Sequence, residues 1–407
     1  MNIKIDHLSG RCEGSLRITG SKSETNRLLL LQALFKGFQL ENISNSDDSK
    51  VMQEALKSTS EVVDVHHAGT AMRFLTAYFS HLEGSEVLLT GSTRMQERPI
   101  KILVDALRSI GASIVYDKVE GFPPIRIKGK KLLGGTISLP ADISSQYISA
   151  LLLLGPVLEK GLKLNLVGKI TSMPYIKMTL ALLNNLGITT SFKGQLIWVG
   201  SVNKIKRINQ VVESDWSSAS YFFSIVALAK KAKISLTSFK KLSLQGDVIL
   251  LEIYKQLGVS ARFEEDTLHL KKESKSLPDS IQLDLSKAPD IAQTIAVSCY
   301  GLGVGCDLVG LHTLKIKETD RLKALYEELT KLGATIKVTN ESLHLSPHTN
   351  FKENCSISTY NDHRMAMAFA PLALKIPLKI EEPSVVSKSY PDFWNDLRML
   401  NFEIKQR

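Results

Sequence analysis

The sequence predicts an α/β protein made of six copies of one strand–helix–strand–helix–strand–strand unit, grouped as two three-unit domains. Three observations carry this. At 407 residues the chain exceeds one ordinary core. Helices that end on glycine and pass into a β-rich strand recur, with Gly111, Gly187, Gly258 and Gly333 at intervals of about 75 residues. Polar clusters open an apolar helix near Ser23, Gly69, Ser144, Ser217, Asp290 and Asp362. After a first interval of about 46, these starts lie about 72–75 residues apart.

Taken in order, Met1-Asn2-Ile3-Lys4-Ile5-Asp6 reads as a strand start and not as a signal peptide. A strand over 16–19 leads into Gly20-Ser21-Lys22-Ser23-Glu24-Thr25-Asn26-Arg27, and an apolar helix follows over 28–34. Glycine and serine suit a tight turn and a helix N-terminus. Bare N–H groups, a hydroxyl, an ammonium and a guanidinium together suit a phosphate or carboxylate. A capped helix with solvated cations needs the same residues. One unit reads completely: strand 136–139, helix 144–154, strand 162–166, helix 174–186, then a hairpin of 188–192 with 196–199. The first unit is short by about a third, and the deficit falls between Val51 and His67. The last unit ends on Asn401-Phe402-Glu403-Ile404, with Asn401 in the glycine's place. It lacks a final strand, which Ile3-Lys4-Ile5 is placed to supply. This arrangement puts one domain at 20–212 and the other at 1–19 with 213–407, joined by a double crossover near 14–20 and 210–215.

The net charge of +10 suits nucleic acid, a membrane surface or small anions. The cations are scattered, not gathered in an arm, which favours small anionic substrates. Cys12, Cys299, Cys306 and Cys355 show no ligand spacing and read as buried thiols of a reducing cytoplasm. The apolar run 148–158 is broken by Gly155 and Pro156 and is too short to span a bilayer.

The chemistry gathers at the helix starts. Ala68-Gly69-Thr70-Ala71-Met72-Arg73 places a glycine where backbone can approach a ligand. Arg94 and Arg98 precede Pro99 and a helix start, where cations are unfavourable unless an anion joins them. Ser144-Ser145-Gln146 offers two hydroxyls and an amide, of which a cap explains one. Ser172 and Tyr175 flank Pro174, and read most simply as a cap and a packed ring. Asp215 reads as an N-cap at the crossover. Asp290 is either a cap or a base, and Lys317-Glu318-Thr319-Asp320-Arg321 either a solvated face or part of a site. Tyr360-Asn361-Asp362-His363-Arg364 opens the sixth unit, and Lys388 precedes the last helix. Together, Lys22, Arg27, Arg98, Lys317, Arg321, Arg364 and Lys388 are expected to line one cleft that closes on several anionic groups, with Asp290 and Glu318 its only acids.

These ordered stretches resemble the EPSP synthase (3-phosphoshikimate 1-carboxyvinyltransferase) family of enolpyruvyl transferases along essentially the whole chain. The resemblance implies a two-domain inside-out α/β barrel with three βαβαββ repeats per domain. It implies transfer of the enolpyruvyl group of phosphoenolpyruvate to the 5-hydroxyl of shikimate 3-phosphate, within the shikimate pathway. Shikimate 3-phosphate would be held by Lys22, Ser23, Arg27, Ser144, Ser145, Gln146, Ser172, Tyr175, Asp290 and Lys317. Phosphoenolpyruvate would be held by Lys22, Gly69, Arg98, Gln146, Arg321, Arg364 and Lys388. Asp290 would be the base toward the 5-hydroxyl, and Glu318 with Lys22 the proton relay to the vinyl carbon. No metal or organic cofactor is implied, and a cytoplasmic monomer without nucleic-acid or membrane partners is expected. His67, Phe74 and Thr313 replace the family's usual asparagine, proline and asparagine, and a ring as bulky as that of Phe74 is able to shift the helix bearing Gly69.

Two other readings compete. An enolpyruvyl transferase acting on a uridine-diphosphate amino sugar shares the fold, but that family usually carries a cysteine in the loop matching 91–98, and this loop has none. A basic nucleic-acid-binding module predicts a cationic stripe interleaved with aromatics, whereas the aromatics here lie mostly in apolar runs.

Overall fold

The computed structural model describes residues 2–406 except 36, 143, 169, 171, 172, 206–208, 349 and 354. The chain divides into two units, Met1–Gly20 with Glu213–Arg407 and Ser21–Val212. In each, apolar helices are buried and the sheets alternate. Helix Trp216–Leu228 buries every residue but Ser217, and Ala292–Leu302 all but Leu302. A helix that is apolar all round must lie inside. Strand Leu162–Val167 instead alternates buried and more exposed side chains, so its sheet turns one face to water. Helices inside and sheets outside follow from these two patterns.

The repeat is explicit in the sheets. Within the Ser21–Val212 unit, Val62–Asp64 pairs parallel with Glu86–Thr90 across helix Gly69–His81. The hairpin of Ser113–Tyr116 with Ile125–Lys128 then closes the sheet antiparallel. Strands Gly135–Pro140, Leu162–Val167, Thr190–Lys193 and Leu196–Val199 repeat the order. A parallel neighbour needs a long crossover, which the helix supplies. The short first unit keeps only Gln39–Glu41, parallel to Asn209–Val211. Helix Asp47–Lys57 runs almost directly into Val62, leaving no room for a closing hairpin.

The other unit builds three more sheets of that order. Arg11–Leu16 pairs with Lys231–Leu236, and Ser280–Asp284 with Gly305–Val309, each beside its hairpin. In the last sheet Asn2–Asp6 lies between Leu378–Glu381 and Glu403–Gln406, with Ile3 opposite Ile380 and Ile5 opposite Ile404. The N-terminal strand therefore completes the sixth repeat. Gly111, Gly187, Gly258 and Gly333 all have positive φ, and Asn401 does the same work at φ 68°.

One expectation is corrected: Cys12, Cys299 and Cys306 are buried, but Cys355 is partly exposed, beside the strand Ser356–Ile357. Among the described residues no helix is long and apolar enough to cross a membrane.

Candidate active site

In the Ser21–Val212 unit the inner helices begin with the residues singled out by sequence. Lys22 Nζ lies 3.3 Å from Asp48. Arg27 is 3% exposed. Its Nη1 donates to the Ser23 carbonyl at 2.7 Å, its Nε to Thr179 Oγ1 at 2.8 Å and its Nη2 to Ser149 Oγ at 2.8 Å. The rings of Phe74 and Tyr175 stand 5.5 and 5.8 Å from it. Burial pushes the guanidinium down to about 10. Its hydrogen bonds go to neutral oxygens, and the buried Glu24 carboxyl offsets the burial only in part, so this cation is prepared for a further anion.

At the next helix start the Arg98 guanidinium lies against Gly69, where a Cβ would stand 2.5 Å from Nη1. Buried Arg73 explains why. It donates to the Gly69 carbonyl at 3.3 Å and to the Pro99 carbonyl at 3.0 Å. The Tyr147 hydroxyl donates to the same Pro99 carbonyl at 2.5 Å. One arginine thus ties the turn holding Gly69 to the segment holding Arg98. Gln146 Nε2 donates to Thr70 Oγ1 at 3.1 Å, and Ser144 caps helix Ser145–Leu154. Tyr175 lies in helix Met173–Asn185. Ser172 lies outside the described residues. Arg94 is drawn away, paired with Glu97 at 2.9 Å on the surface.

In the other unit Asp290 sits on the turn Pro289–Ile291. Its Oδ1 accepts from Arg321 Nη1 at 2.8 Å and lies 3.5 Å from Lys317 Nζ, while its Oδ2 is 3.6 Å from Arg364. Burial disfavours the charge, but Lys317, Arg364 and Arg321 together outweigh it and hold the carboxyl well below the usual range. Arg321 is 1% exposed, at the start of helix Arg321–Lys331. It also donates to Asp362 at 2.6 Å and Glu318 at 2.9 Å, and Glu318 reaches Lys388 Nζ at 2.9 Å. Burial opposes the charge on Arg321, yet Asp362, Glu318 and Asp290 keep it firmly protonated.

The residue pattern matches the description "EPSP synthase (3-phosphoshikimate 1-carboxyvinyltransferase)" over residues 56–397. A 3-phosphoshikimate 1-carboxyvinyltransferase of Bacteroides fragilis is 46% identical over 397 residues, covering 97% of this chain and 96% of that protein. The chain belongs to the EPSP synthase family. A Haemophilus influenzae protein of the same name is 36% identical, with 95% and 96% covered. The fold agrees with that of an Acinetobacter baumannii EPSP synthase at TM-score 0.82 and 21% identity, each chain covered fully. The enolpyruvyl transferase NikO of Streptomyces tendae gives TM-score 0.73 at 14% identity, covering 99% and 98%. The two-domain inside-out α/β barrel of EPSP synthases is the fold of this chain.

Against that family background, sequence reasoning missed several acids. Asp290 and Glu318 are not the only acids among the clamp cations. Asp362 holds Arg321, Asp48 holds Lys22, and Asp247 reaches Arg364 through Ser217. Asp362 lay within a motif already singled out, beside Arg364. Asp48 and Asp247 carried no local signal, since their partners are distant in sequence. Phe74 is wholly buried, its ring centroid 5.5 Å from the Arg27 guanidinium carbon.

Proposed function

We propose how this chain carries out the EPSP synthase reaction, the transfer of the enolpyruvyl group of phosphoenolpyruvate to the 5-hydroxyl of shikimate 3-phosphate with release of phosphate. The observation that carries the reading is a carboxylate, Asp290, gripped by Lys317, Arg321 and Arg364. Asp290 removes the 5-hydroxyl proton as that oxygen attacks C2 of phosphoenolpyruvate, and Glu318, with Lys22, delivers a proton to C3. The tetrahedral adduct then loses phosphate and a C3 proton.

While three cations hold it, Asp290 is a weak base. The phosphate and carboxylate of phosphoenolpyruvate on Arg321, Arg364 and Lys388 draw those charges away and restore its basicity. Gly69, Arg98, Gln146 and Lys22 serve the same ligand. Lys22, Ser23, Arg27, Ser144, Ser145, Gln146, Ser172, Tyr175, Asp290 and Lys317 serve shikimate 3-phosphate. Buried Arg27 and its oxygens supply the strongest support on that side. The reading needs no metal or organic cofactor, and takes the protein to work as a monomer in the cytoplasm.

The test is phosphate release on mixing the protein with both substrates. Turnover with shikimate 3-phosphate and none with a uridine-diphosphate amino sugar is expected, and the reverse overturns the substrate assignment. Asp290→Ala should lose several orders of magnitude in kcat; a wild-type rate removes Asp290 from its role.

A further inference from the structure

Asp247 is 6% exposed, on the turn Gly246–Ile249 of the unit that holds Asp290. The Ser217 hydroxyl donates to its carboxylate in a short hydrogen bond. The same Ser217 oxygen accepts from Arg364 Nη2 at 3.3 Å, and that nitrogen lies 3.6 Å from Asp290. A hydroxyl has a single proton to give. Committing it to Asp247 leaves only lone pairs for Arg364, so the arrangement has one polarity. Without that commitment the hydroxyl turns freely, and its proton competes with the guanidinium.

The two ends of the link are also fastened together. Gln245, two residues before Asp247, accepts from the Trp216 backbone N–H at 2.9 Å and donates to the Ser214 carbonyl at 2.9 Å. The segment bearing Asp247 is thereby tied to the turn bearing Ser217.

We propose that Asp247 is a positioning residue for phosphoenolpyruvate: it fixes Ser217 as an acceptor, and Ser217 holds Arg364 ready for the incoming anion. This rests on the reading of Arg364 as part of the phosphoenolpyruvate site. The charged groups that face Asp247 are Asp290 on its turn, Arg364 at the start of helix His363–Phe369, and Asp215 at the cap of helix Trp216–Leu228. Burial pushes the Asp247 carboxyl up to about 6; Asp290 and Asp215 add to this, while the Ser217 hydrogen bond and Arg364 oppose it. The link is therefore intact at neutral pH and loosens in mild acid.

The experiment measures KM for each substrate and kcat across about pH 5.5–8, the range that brackets this titration and that of a phosphate monoester. The proteins are wild type, Asp247→Asn, Asp247→Ala, Ser217→Ala and Arg364→Ala. Asp247→Ala and Ser217→Ala should raise the phosphoenolpyruvate KM about tenfold at neutral pH, as loss of a supporting partner does elsewhere. The shikimate 3-phosphate KM should move little, and Asp247→Ala should not lower the melting temperature. Wild type should lose phosphoenolpyruvate affinity below about pH 6 more steeply than Asp247→Asn. The ligand's own phosphate titrates in both proteins, so the difference belongs to the side chain. If Arg364→Ala raises that KM while both Asp247 variants and Ser217→Ala keep the wild-type KM and pH profile, the positioning role is overturned. If Arg364→Ala itself keeps the wild-type KM, the underlying assignment fails instead.

Discussion

Gly69→Ala separates site geometry from stability. Gly69 opens helix Gly69–His81 and is not among the glycines of positive φ, so alanine suits its backbone. In a helix interior that exchange stabilises by about 0.5–1 kcal/mol. Its new Cβ, however, would stand 2.5 Å from Arg98 Nη1 and 3.1 Å from both Cζ and Nη2. Ordinary contact begins at 3.4 Å, so the guanidinium must withdraw by roughly 1 Å. The main chain cannot follow easily, because Arg73 and Tyr147 hold the Pro99 carbonyl. The side chain of Arg98 therefore gives way, and a 1 Å misplacement of a binding group costs up to about 100-fold. Steady-state kinetics should show the phosphoenolpyruvate KM raised about 10- to 100-fold, with the shikimate 3-phosphate KM within about twofold. The melting temperature should hold or rise. A phosphoenolpyruvate KM within about twofold of wild type would refute the placement of Arg98 over Gly69 as part of the site.

Three more outcomes follow from the same contacts. Arg27→Lys replaces a fork reaching Ser23, Ser149 and Thr179 with a point charge, and should raise the shikimate 3-phosphate KM about tenfold or more while leaving the phosphoenolpyruvate KM nearly unchanged. Tyr147→Phe removes one of two donors on the Pro99 carbonyl and should raise the phosphoenolpyruvate KM by a few-fold, measured alongside an unchanged shikimate 3-phosphate KM. Asp247→Asn should stabilise the protein in a pH-dependent way. The folded carboxyl titrates at about 6 against a reference of 3.8, so the folded chain binds the extra proton and loses stability as pH rises through that window. The difference amounts to about 3 kcal/mol at pH 8, closing toward pH 4, read from urea midpoints at both pH values.

How much of this was legible in sequence depends on how far apart the cooperating residues lie. The repeat was legible because each copy carries its own signal: an apolar helix, then glycine, then a β-rich strand. Even Asn401 could be placed by period, and its φ of 68° matches the glycines it stands in for. The completion of the last sheet by residues 2–6 was legible because a missing strand and a spare one sat at opposite ends. The cations at the helix starts were visible as local clusters. Their supporting partners were not. Arg27 is held by Thr179, 152 positions away, and Ser217 by Asp247, 30 positions away. The first pairing comes from packing between repeats and the second from packing across one, and no local pattern announces either. The neighbour of Phe74 was hidden for the same reason: its ring lies under Arg27, which belongs to a different repeat.

In the proposed route Glu318, with Lys22, protonates the vinyl carbon of phosphoenolpyruvate, and that carbon later gives up a proton. Running the reaction in deuterium oxide and reading the product by proton and deuterium magnetic resonance tests it directly. Deuterium should enter the vinyl methylene of the product, and Glu318→Gln should slow that incorporation together with turnover. Product formed at full rate with its methylene free of deuterium would contradict the addition–elimination route and the roles given to Glu318 and Lys22.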